Sequence, residues 1–64
     1  MTRKEARLIC DEILQAPDAP PAARDMAQTT LDAFVDLGEA PSPDVATALR
    51  AVHGMARRLI PVAR

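Results

Sequence analysis

Apolar residues recur along this chain at intervals of three and four, the spacing of one face of an α-helix. The first such stretch contains Ala6, Ile9, Cys10, Ile13 and Leu14. The second contains Ala23, Met26, Ala27, Thr30, Leu31, Phe34 and Leu37. The third contains Val45, Ala48, Leu49, Val52, Met55, Ala56, Leu59 and Ile60. Alanine is abundant, and β-branched or aromatic runs of strand type are missing.

The residues between these stretches supply starts and stops. Thr2 and Glu5 have capping-box spacing, which begins a helix near Arg3, and Pro17 ends it. Asp18 or Ala19 is expected to cap the second helix, with Pro20 or Pro21 in its first turn. Gly38 follows the last periodic residue, where a left-handed conformation is cheap for glycine. Ser42-Pro43-Asp44 reads as an N-cap, a first-turn proline and an acid near the positive helix end. Arg57 and Arg58 suit the negative end of the third helix, and Pro61 closes it. The pattern therefore predicts an all-α, compact three-helix bundle with helices at about 3–16, 20–37 and 43–60. Residues 1–64 form a single helical domain with neighbouring helices antiparallel. The alternative architecture is an extended helical hairpin that completes its core in a homodimer.

Length limits what this core contributes. A 64-residue chain buries only about 60% of its unfolded surface, so its stability is marginal. A hydrophobic share of 48% against 27% charged residues is nevertheless that of a folded domain. The net charge of -1 exerts no global pull toward nucleic acid or an anionic membrane. No apolar stretch approaches the roughly 18 residues needed to span a bilayer, so no membrane partner is expected. Met1 to Ile9 mixes Glu5 with its bases and has no apolar signal region, so no secretory or transit segment is expected. Cys10 is alone and cannot form an internal disulfide, which suits a reducing, cytoplasmic location.

Candidate chemistry is sparse. Nucleophilic catalysis needs a nucleophile, a base and a group that orients the base. Cys10 falls on the apolar face of the first helix and reads as a core residue. Ser42 is occupied as a cap. His53 borders the apolar face of the third helix, with Arg50 and Arg57 at i−3 and i+4, and reads as a packing residue. Those arginines disfavour a positive charge on its ring. One Cys and one His do not make a zinc site, and Asp32 with Asp36 reads as solvated surface. Gly38 and Gly54 are the only glycines, so no phosphate-cradling loop exists. No enzymatic activity, metal or cofactor is expected.

Surface charge is uneven. From Pro17 to Pro41 one base, Arg24, stands against Asp18, Asp25, Asp32, Asp36 and Glu39. From Ser42 onward Arg50, Arg57, Arg58 and Arg64 stand against Asp44. Asp25, Thr29, Asp32 and Asp36 form an acidic stripe opposite the apolar face of the second helix. Such a stripe suits a basic protein surface; its simpler reading is a solvated face.

On the third helix Thr47, Ala51 and Gly54 make a stripe of small residues, with Arg50, His53 and Arg57 on one flank and Arg58 on the other. Gly54 is informative, because a mid-helix glycine costs roughly 1 kcal/mol against alanine. It faces away from the expected core. A partner's backbone could approach closely there; drift in an alanine-rich helix is the competing explanation. Leu8 points away from the Ile9/Ile13 face, and Val35 sits at the edge of the second helix. Side by side, these two would seed a partner patch.

The reading that follows is a non-catalytic protein-interaction module: an inhibitor, adaptor or accessory subunit. Its expected contact residues are Thr47, Arg50, Ala51, Gly54, Arg57, Arg58 and Leu8. The alternative is a helix-turn-helix-like regulator that sets the third helix in the major groove of a nucleic acid. Negative net charge, a long proline-bearing link and an Asp44-Val45-Ala46 start argue against it. A homo-oligomeric structural protein is the second alternative.

Overall fold

The computed structural model describes the backbone of residues 1–59 and the side chains of residues 1–55. It is a compact three-helix bundle, with no strand among the described residues. Helix α1 spans Arg3–Gln15, α2 spans Pro21–Ala33 and α3 spans Pro43–Leu59, with a 3-10 turn at Val35–Leu37. Ile60, expected at the end of the third apolar face, lies outside the described residues.

The helix starts follow the local chemistry. The Glu5 N–H donates to Thr2 Oγ1 at 3.1 Å. The reciprocal half of the box differs from expectation, because the Glu5 carboxylate accepts from the Thr2 hydroxyl at 3.2 Å. Ser42 caps α3 by accepting from the Val45 N–H at 3.4 Å. Helix α2 departs from expectation at its start. Pro20 occupies the cap position and no side chain caps the helix, so neither Asp18 nor Ala19 serves. Ala19 is buried instead.

The larger correction concerns the end of α2, which was expected to continue to Leu37. It stops at Ala33, and the chain tightens into the 3-10 turn. That change of winding turns Val35 into the core at 2% exposure and leaves Leu37 70% exposed. Gly38 then takes φ 83°, as expected of its position. The Glu39 N–H donates to Phe34 O at 2.8 Å and the Gly38 N–H to Val35 O at 3.0 Å, the paired bonds of a Schellman ending.

Burial is dominated by small side chains. Ala6, Cys10 and Ile13 come from α1, Ala16 and Ala19 from the link, and Ala23, Ala27 and Leu31 from α2. Val35 joins them from the 3-10 turn, and Ala46 and Leu49 are buried on α3. Thr30 is the buried polar residue, and its hydroxyl donates to Met26 O at 2.8 Å. No buried side-chain nitrogen or oxygen lacks a partner among the described residues.

Candidate functional site

The residue types best suited to chemistry are each engaged in the fold. Cys10 is fully buried, and burial, reinforced by the neighbouring Asp11 carboxylate, pushes its thiol from 9.0 up to about 11. A thiol held neutral is a poor nucleophile. His53 is partly buried, and its Nε2 meets the Glu12 carboxylate of α1 in a hydrogen-bonded pair. A neighbour of its ring is therefore a carboxylate from another helix, which helical spacing alone did not point to. The pair ties α3 to α1 across 41 positions of sequence. Ser42 is the α3 cap. No group of three or more His, Cys, Asp or Glu among the described residues could hold a metal ion. No helix among them is long and apolar enough to cross a membrane.

The acidic middle of the chain is reorganised by the fold. Asp25, Thr29 and Asp32 stay exposed on α2, where the Gln28 amide donates to Asp32 Oδ1 at 3.0 Å. Asp36 leaves that stripe because α2 ends before it, and it pairs with Arg7 of α1 at 3.5 Å. Arg24, the one base of this segment, turns toward the end of α1. Its Nη2 donates to Ala16 O at 3.0 Å and Pro17 O at 3.3 Å, and its Nε to Ala19 O at 3.3 Å. Ala16 O also accepts from the Ala19 N–H at 3.3 Å, and the guanidinium adds a second donor just past the end of α1, a clasp over the α1–α2 link.

The expected contact residues fall on two separate helices. Thr47, Arg50, Ala51 and Gly54 are exposed on α3. The Thr47 hydroxyl donates back to Pro43 O at 3.0 Å. A methyl group added at Gly54 would meet nothing within 4 Å, so this position does face open space. The side chains of Arg57 and Arg58 lie outside the described residues. Leu8, on α1, is 62% exposed, and the shallow depression around it is walled by Lys4, Asp11 and other α1 residues. Val35 does not join Leu8 at the surface, because the 3-10 turn buries it.

The structure also shows a feature that the sequence did not single out. A groove runs between α2 and α3 on the side away from α1. At one end it holds about 250 Å³ among Pro20, Met26, Val52 and Met55. Past Met26, which lines both, a second hollow of about 230 Å³ lies among Asp25, Thr29, Phe34 and Val45. Met26, Phe34, Val45 and Val52 are half-buried, and Met55 is 57% exposed. Helical spacing assigned these five residues to the core. Spacing gives the face but not how closely the facing helix approaches.

No family model, curated protein or solved structure matches this chain, so the functional reading comes from its own residues.

Proposed function

We propose that this chain is a small non-catalytic protein-interaction module, an inhibitor, adaptor or accessory subunit that acts by binding a partner protein. The observation that carries this reading is the amount of large apolar side chain left outside so small a core. Leu8, Leu37 and Met55 are exposed on different elements, and an apolar groove lies between α2 and α3. In a domain with few large side chains to bury, surface of this kind favours a partner role. The engagement of Cys10, Ser42 and His53 in structural contacts points the same way.

The link between α2 and α3 also favours protein over nucleic acid. Residues 34–42 separate the two helices and contain a 3-10 turn. A helix-turn-helix joins its helices through a turn of about three or four residues. The first turn of α3 presents Asp44 and no Arg, Asn or Gln to read a base. A reducing, cytoplasmic setting suits the free, buried Cys10 thiol.

The test is capture of partners by the tagged chain from lysate of its native host, with and without nuclease. The same capture is run with Gly54→Leu and Leu8→Asp, each checked for helicity. A stoichiometric protein that survives nuclease and is lost by either variant is the expected result. Recovery of nucleic acid, or loss of every partner on nuclease treatment, overturns the reading in favour of the DNA- or RNA-binding alternative. Light scattering that shows a stable homo-oligomer and no other partner overturns it in favour of the assembly role.

A further inference from the structure

We propose that the α2–α3 groove is the docking site for an amphipathic helix of the partner protein, with basic residues flanking that helix's apolar face. This builds on the protein-binding reading and names the chemistry of the partner. Three observations converge on it.

The first is shape. The groove follows α2 from Pro20 to Phe34, a length of about 21 Å at 1.5 Å per residue. A helix of about 14 residues spans that distance.

The second is lining. Met26 lies at the junction of the two halves, Met55 stands at one end, and Phe34 and Val45 form the other. Unbranched, polarisable methionine side chains adapt to an inserted apolar anchor, and helix-in-groove recognition uses anchors at i, i+3, i+4 and i+7.

The third is charge. Asp25 lines the groove, Asp32 follows it on the exposed side of α2, and Asp44 stands in the first turn of α3. No base lines the groove among the described residues. Arg24 does not line the groove, and its guanidinium points to the carbonyls of Ala16 and Pro17 in the α1–α2 link. An apolar trough with an acidic wall selects an apolar stripe flanked by lysine or arginine. A second copy docked groove to groove would instead bring two Asp25-bearing walls together, so the occupant is a different chain.

The test uses the full chain carrying carbon-13 methionine methyls. It is titrated with two synthetic helical peptides of about 14 residues, each with leucine at helical spacing. One has lysine on its flanks and the other glutamate. The lysine peptide is expected to shift the Met26 and Met55 methyls and leave Met1 unmoved. Its affinity should fall about tenfold in Asp25→Lys and in Met55→Glu, and the glutamate peptide should bind at least about tenfold more weakly. Both substitutions alter exposed side chains, and circular dichroism confirms that the fold is intact. Equal binding of the two peptides, shifts confined to Met1, or no shift at all overturns the proposal. Concentration-dependent methyl shifts without peptide would show a second copy in the groove and also overturn it. Capture from lysate separates the two levels. A nuclease-resistant partner retained by Met55→Glu and Asp25→Lys but lost by Gly54→Leu sinks the groove and leaves the protein-binding reading standing. Absence of any such partner sinks that reading, whatever the peptides do.

Discussion

The two sides of α2 solve the same packing problem differently. Toward α1 the helix presents Ala23, Ala27 and Leu31 against Ala6, Cys10 and Ile13, and all six are buried. Toward α3 it presents Met26 and Phe34 against Val45, Val52 and Met55, none of which is fully buried. Small side chains let two helix backbones approach until little surface remains between them. Large ones hold the backbones apart, and unless a further layer fills the gap, a groove remains. The α1–α2 interface is accordingly the most extensive in the bundle among the described residues, and α2–α3 is less extensive than either contact of α1 with a helix. The closed side holds most of the fully buried side chains, with Leu49 of α3; on the open side Met26 and Val52 pack on the core only in part and Met55 is exposed.

The largest test of that division is a matched pair of truncations. Ile13→Ala removes a fully buried branched side chain from the closed side, where neighbours cannot collapse into the gap. It should lower unfolding free energy by about 3 kcal/mol, a large share of what so small a domain possesses. Met55→Ala removes a longer side chain from the open side and should change stability by only about 0.5 kcal/mol. Urea denaturation followed by circular dichroism measures both. Comparable losses would mean that the groove side is as load-carrying as the alanine side, and the contrast would fail.

The difference between the two sides also marks what could be read along the chain. The starts of α1 and α3 were legible because they are local: Thr2 with Glu5, and Ser42 with Pro43, specify bonds within one turn, whereas α2 starts without the expected side-chain cap. Gly38 was legible for the same reason, since its left-handed conformation depends on its own missing Cβ. The end of α2 was not. Ala33-Phe34-Val35-Asp36-Leu37 contains neither glycine nor proline, and its spacing continues the helix. The 3-10 winding is a tertiary choice that buries Val35 in the common core and exposes Leu37. The Arg24 clasp and the Glu12–His53 pair were hidden because their partners come from other elements. The exposure of Leu8, Ala51 and Gly54 followed from helical phase alone, whereas the groove depends on interhelical distance, which no single-helix pattern contains.

Cys10 sharpens the contrast through pH. Its thiol sits on the closed side, raised from 9.0 to about 11 by burial and Asp11. A raised folded-state value means that the unfolded chain releases this proton first. The contribution is whole below pH 9 and is lost as pH rises to about 11. By pH 11 the loss amounts to about 2 kcal/mol. Urea midpoints from pH 8 to 11, compared with those of Cys10→Ala, isolate it: the variant should show a shallower decline. Parallel declines, or rapid reaction of the native thiol with a disulfide reagent at pH 8, would show that the closed side admits water.

Smaller effects than that of Cys10 come from the two glycines, and they should have opposite signs. Gly38 holds φ 83°, a conformation alanine adopts reluctantly, while an added methyl would lie 3.5 Å from the Arg3 guanidinium, an ordinary contact. Gly38→Ala therefore meets strain and not collision, and should destabilise by about 1 kcal/mol. Gly54 lies within α3 with open space around it, so Gly54→Ala restores helix propensity without touching the core. It should stabilise by about 0.5–1 kcal/mol. A glycine whose replacement stabilises the isolated domain is not explained by folding. If Gly54→Ala stabilises the fold yet weakens capture of the nuclease-resistant partner, the α3 stripe belongs to the binding surface. If it stabilises the fold and leaves capture unchanged, the stripe is surplus surface and the groove is the face that remains.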